Sequence, residues 1–168
     1  MGLDYLLIPN SPNLDFGSGD FTIEFWIYPS TTPAQFDGIL SKRATTAVYS
    51  PLQIQFGASN TIQVLSSAGA SWNVNMTSSD TCADGQWSHV AVTRNGSTWT
   101  TYIDGVAQTP ATSSHTVMSN TTQVAIGASA ADGSNPIEAS FIDDLRITKG
   151  VARYTTTFTP PDAPFPDL

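Results

Sequence analysis

Alternation of apolar and polar residues with a period of two runs through most of this chain, and it constrains the fold more than any other feature. "FTIEFWIY" at 21–28 puts Phe21, Ile23, Phe25 and Ile27 on one face and Thr22, Glu24, Trp26 and Tyr28 on the other. The same pattern recurs in "PLQIQF", "TIQVL", "SWNVNM", "WSHVAVTR", "STWTTYID" and "TQVAIG". Such alternation marks half-buried strands, and no segment sustains a helical period. Turn signals separate the runs: "SGD", "FDG", "GASN", "ADG", "RNGS" and "IDG". Asn-Gly between two alternating runs favours a type I′ hairpin, so 86–94 and 98–104 are expected to pair. About eleven short strands with frequent turns predict an all-β sandwich or barrel in one domain spanning 1–168. The last ten residues, "TPPDAPFPDL", carry four prolines. They cannot enter a central strand and read as a surface strap or the start of a linker.

Composition narrows the function classes. The net charge is −8 with only six basic residues, which argues against nucleic acid and against anionic membrane surfaces. An acidic surface keeps a protein soluble and attracts cations. Cys82 is the one cysteine, so an internal disulfide and a Cys-based zinc site are excluded. The N-terminus has no basic segment followed by a long apolar run, and no stretch approaches the length of a membrane helix.

Five segments, "GDFTIEFWIYP", "ILSKR", "GQWSHVAVTRNGSTWTTYIDG", "IGAS" and "FIDDLRITKGVARYTTTFTPP", occur in this order across almost the whole chain. Together they resemble the laminin-G-like, concanavalin A-like jelly roll of bacterial surface and phage structural proteins. The resemblance implies two antiparallel sheets packed face to face, one of them concave. It also implies a non-catalytic recognition or adhesion module that binds a glycan or cell-surface polysaccharide. Such a module belongs to a virion or extracellular surface assembly. The alternatives are a purely structural virion module contacting other virion proteins, and a glycoside hydrolase. Jelly-roll glucanases carry Glu-x-Asp-x-Glu on one strand, whereas this chain has only Glu24 and Glu138, far apart. A glycosidase needs two carboxylates about 5–10 Å apart, so the enzyme reading is the weakest.

"FIDDLRITK" places two aspartates inside a strand, where Asp is disfavoured. Asp143 shares its parity with Leu145 and Ile147. On the core side a carboxylate must be paired, hydrogen-bonded or metal-bound. The resemblance to calcium-stapled glucanases makes Asp143 a candidate ligand of a structural Ca2+, with Asp4 and Asp37 as further candidates. The alternative is a carboxylate hydrogen-bonded to backbone amides or an arginine. Asp144 has the other parity and is expected to pair with Arg146 or a neighbouring strand. For a glycan, the candidates are Glu24, Trp26 and Tyr28 on the non-core face of one strand, together with Tyr102. Aromatics in a sandwich are more often packing residues. Loop candidates are Tyr49 and Ser50, 80–84, and 132–135. His89 reads as a structural histidine.

Overall fold

The computed structural model describes residues 5–165, so Asp4 lies outside the described residues. Twelve strands follow in chain order: β1 (Leu6–Ile8), β2 (Phe21–Pro29), β3 (Gly38–Ser41), β4 (Leu52–Phe56), β5 (Thr61–Ser67), β6 (Trp72–Thr81), β7 (Ser88–Asn95), β8 (Thr98–Ile103), β9 (Val106–Ala107), β10 (Ala111–Thr112), β11 (Val124–Ile126) and β12 (Ser140–Lys149). They form two antiparallel sheets ordered β1-β11-β3-β4-β5-β6 and β10-β8-β7-β2-β12, with β9 beside β8. This is an all-β sandwich, as the alternation predicts, with the jelly-roll arrangement that the resemblance implies. No helix among the described residues is long and apolar enough to cross a membrane.

The core lies between the sheets. Phe21, Ile23, Phe25 and Ile27 of β2 meet Ile54 and Phe56 of β4, Ile62 and Val64 of β5, and Val90 and Val92 of β7. Each large side chain taken out of water contributes about 1.5–3 kcal/mol. The β7–β8 hairpin forms in the expected place, with Asn95 opposite Thr98. Trp99 of β8 is fully buried. Arg94, also buried, lies over the Trp99 ring and donates to the carbonyls of Gly17, Gly96 and His115. Arg94 thereby closes the hairpin's own turn and fixes two other loops to it, and every such bond to a charged group inside a sandwich adds about 1.5–3 kcal/mol.

After β12 the chain turns back across the outer face of the second sheet. Thr22 Oγ1 donates to Val151 O at 2.9 Å and accepts from the Arg153 amide at 2.8 Å. Tyr102 Oη donates to Tyr154 O at 3.1 Å, and the Phe158 amide donates to Gly105 O at 3.0 Å. The Tyr154 and Phe158 rings stack at 3.6 Å. Both rings stand edge-on to His89 and Tyr102. Gly105 has a φ of +79°, and a Cβ there would stand 1.9 Å from Phe158 O. Only glycine satisfies both conditions. The strap expected at 159–168 therefore begins earlier, and its hydrogen-bonded anchors lie in 151–158.

The register of β12 overturns the parity argument for its aspartates. Asp143 pairs with Trp26 and Arg146 with Glu24, so β12 spends three residues where β2 spends two. This bulge contains Asp144, at a φ of +49°, a conformation that Asp tolerates better than most residues. A one-residue insertion flips every later side chain to the other face. Asp143 consequently shares the outer face with Trp26 and Arg146 rather than the core side with Leu145 and Ile147. It is exposed, and its Oδ1 accepts from the Asp144 amide at 2.8 Å. The core-facing premise for a metal ligand at Asp143 does not hold.

Candidate functional site

The outer face of the first sheet carries a chain of amides. Gln53 and Gln55 of β4 sit opposite Leu65 and Gln63 of β5, and Leu65 sits opposite Asn75 of β6. Period two puts these residues on one face, away from the core. Arg43 Nη1 donates to Gln53 Oε1 at 3.1 Å, and Gln53 Nε2 donates to Gln55 Oε1. Gln55 Nε2 then donates to Gln63 Oε1 at 2.7 Å, and Gln63 Nε2 to Asn75 Oδ1 at 2.8 Å. Every amide points the same way along the row. Gln53 and Gln55 are 1% and 4% exposed, so the floor is rigid and polar, whereas Asn75 at its end is open to solvent.

Aromatic groups stand around this floor. A second irregularity, between β5 and β6, pairs Ser66 with Val74 but Ser67 with Trp72. Trp72 leaves the parity of Val74 and Met76 and emerges beside the amides. Tyr49 meets it edge-on at 5.2 Å, and the Arg43 guanidinium lies 5.5 Å from its ring centre. Phe36 and Asn135 border the same depression. Phe36 is 46% and Tyr49 39% exposed. Among the described residues no carboxylate lines the depression. Planar apolar walls around fixed amide donors and acceptors match a ligand with both C–H faces and hydroxyl groups.

The residues singled out from the sequence fall elsewhere. Glu24 is fully buried on the outer face of the second sheet, beneath the strap. Its Oε1 accepts from Arg146 at 2.8 and 2.9 Å, with Arg153 Nε at 3.8 Å. Its Oε2 accepts from Tyr154 Oη at 2.7 Å and stands 3.5 Å from His89 Nε2. Burial raises the pKa of this carboxyl, but the close approach of His89 and the hydrogen bonds from Tyr154 and Arg146 outweigh it and hold it below the usual value. The same partnership, after burial, pushes the Tyr154 hydroxyl up to about 12. Glu24 is thus the centre of a buried ion cluster, covered by the strap. Tyr102, 1% exposed, is covered by Tyr154 and Phe158. Trp26 and Tyr28 keep part of their surface in solvent.

Arg146 pairs with Glu24 and not with Asp144. Asp37 is 7% exposed and accepts from the Ala34 amide at 3.0 Å; burial pushes its carboxyl up. It lines a depression with Glu138, separate from those bordered by Asp143. Asp37 and Asp143 are not brought together. Among the described residues no three Asp, Glu, His or Cys side chains converge as a metal site would require. Of the loop candidates, Asn135 borders the amide depression and Tyr49 packs against its wall, Trp72. Gln53, Gln55 and Gln63 were visible as the polar half of an alternation. Nothing in that pattern distinguishes a functional polar face from a solvated one.

A family model described as the concanavalin A-like lectin/glucanases superfamily, of the laminin G type, matches residues 2–153. The chain belongs to this superfamily. Solved structures in the same fold include domain 4 of an extracellular arabinanase from Geobacillus stearothermophilus in complex with arabinotriose. It has 18% identity and a TM-score of 0.62, covering 87% of this chain and 66% of that one. A putative carbohydrate binding protein from Bacteroides ovatus has 18% identity and a TM-score of 0.62, covering 86% of this chain and 41% of that one. A heptameric SAP-like pentraxin from Limulus polyphemus has 16% identity and a TM-score of 0.56, covering 88% and 77%. This member of the superfamily therefore spans less than two thirds of the length of the first two. No curated protein sequence matches it.

Proposed function

We propose that this chain is a non-catalytic glycan-binding module and that the glycan lies on the amide row of the first sheet. The observation that carries the reading is the directional chain Arg43–Gln53–Gln55–Gln63–Asn75 walled by Trp72 and Phe36, with Tyr49 packed edge-on against Trp72. Gln63 and Asn75, the accessible amides of the row, are pre-ordered by the buried Gln53 and Gln55 and bind hydroxyls at little entropic cost, and aromatic faces take the C–H faces of pyranose or furanose rings. The arabinotriose-bound arabinanase domain and the Bacteroides ovatus protein share the fold, which supports the same class of ligand. The non-catalytic reading rests on the carboxylates. Among the described residues none lines the depression, and Glu24 is locked under the strap. We place the module on an extracellular or virion surface, where it serves adhesion.

The test is a glycan array and polysaccharide pull-down with the native chain and with Trp72→Ala and Gln63→Ala, each with calcium and with chelator. Loss of one stacking wall is expected to weaken binding about tenfold, with the far-UV spectrum unchanged. Binding that survives both substitutions removes this face as the site. Absence of binding to every glycan returns the chain to a structural surface module. Release of sugar from any polysaccharide overturns the non-catalytic reading. Calcium dependence of binding supports a Ca2+ site.

A further inference from the structure

The opposite side of the sandwich carries a second cleft, on the outer face of the second sheet. Trp26 and Trp87 form its aromatic part, and Asp143, Asp144 and Asp162 surround them, with the Pro161–Pro164 segment as one bank. Trp87 is 45% exposed. Trp26 rests edge-on against buried His89 at 5.3 Å, which fixes it from behind. Tyr28 lies 5.5 Å from Trp87 and 6.1 Å from Phe141, itself 61% exposed, so the aromatic surface continues beyond the cleft. Exposed aromatics in a contiguous group mark an interaction site.

The charges around these rings are uncompensated. Among the described residues none of the three carboxylates has a basic nitrogen within 4.0 Å. The closest basic side chain along β12, Arg146, is committed to Glu24 and lies 3.7 Å from the Phe165 ring centre. The field in the cleft is thus negative, on a chain already at −8. The carboxylates do not converge as a bare metal ion requires. A larger cation with an apolar shell meets both conditions. Its C–H groups cover the indoles, its charge lies over their negative faces, and the carboxylates stand around it.

We propose that this cleft binds an alkylammonium ion, held against Trp26 and Trp87 with Asp143, Asp144 and Asp162 around its charge. The site is independent of the glycan reading, since it uses the other sheet. The bulge in β12 keeps Asp143 on the outer face opposite Trp26, and Asp144 lines the same cleft.

The test is a titration of the full chain followed by the indole N–H resonances of its four tryptophans. The probes are tetramethylammonium, n-butylammonium and the neutral isostere 3,3-dimethylbutan-1-ol. Both cations are expected to shift Trp26 and Trp87 saturably while Trp72 and Trp99 stay still. A stronger effect of tetramethylammonium assigns the site to quaternary groups, and the reverse order to lysine-like amines. Trp87→Ala is expected to weaken binding about tenfold. Asp143→Asn combined with Asp144→Asn is expected to weaken it similarly and to flatten its salt dependence. Asn tolerates the left-handed backbone at 144, so this second variant tests the site even where Trp87→Ala disturbs the fold. The Trp99 resonance reports the intact core in each case. No shift with either cation, an equal shift with the neutral alcohol, or binding unchanged in the double Asn variant overturns the proposal.

Discussion

Glu24→Gln removes one charge from the middle of the second sheet and leaves everything else in place. In the native chain that carboxylate holds Arg146 and Tyr154, with His89 and Arg153 close by. Removing one partner of a fully buried pair costs about 3–5 kcal/mol. Here Arg146 is 20% and Arg153 36% exposed, so both partners regain some hydration, and the amide still accepts from Tyr154. About 2–3 kcal/mol is therefore expected. For a chain of this length that lowers Tm by about 4–12 °C. Urea unfolding followed by tryptophan fluorescence measures the difference. The sign of the pH dependence provides a second check. The folded-state pKa lies below the ordinary 4.5, so the ionised carboxylate stabilises fully above that value. Its contribution is lost as the pH falls through the lower folded-state value. The gap between the native chain and Glu24→Gln should close on acidification. A gap under about 0.5 kcal/mol at neutral pH, or one that widens on acidification, refutes the account of Glu24 as the anchor of the strap.

Two further outcomes follow from the geometry. Gly105→Ala places a methyl where Phe158 O stands and imposes a positive φ on a residue with a side chain; the strap should detach or the domain lose about 2–4 kcal/mol, read as faster proteolysis after Gly150. Asp143→Ala should change Tm by the same small amount in calcium and in chelator, because Asp143 faces solvent and makes one local hydrogen bond; a calcium-dependent Tm in the native chain that vanishes in this variant restores the metal-ligand reading.

The fold was legible because a buried face and a period of two leave few choices. β2 and β4 appear where "FTIEFWIYP" and "LQIQF" alternate, and Asn-Gly sets the β7–β8 turn. The site was less legible because two one-residue insertions reset the parity that the alternation encodes. One moves Asp143 from the expected core side to the outer face; the other moves Trp72 out of line with Val74. A bulge leaves no composition signal in such short strands. Glu24 and Tyr102 have surface parity and are nevertheless buried, because a segment more than 120 residues later in sequence lies over Glu24. Period two says which face a side chain takes. It does not say what covers that face.

The strap has a consequence for how the protein is made. Thr22 meets Val151 across 129 residues of chain, and β12 completes the sheet only at Lys149. At about 5–20 residues per second, a ribosome needs roughly 6–26 s between these two points. During that interval β2 has no β12 partner on one side, and "FTIEFWIY" is a β-prone, apolar edge with a single charge. Crowding of nascent chains, rather than loss of equilibrium stability, should therefore limit its soluble yield, and slower initiation should help more than lower temperature.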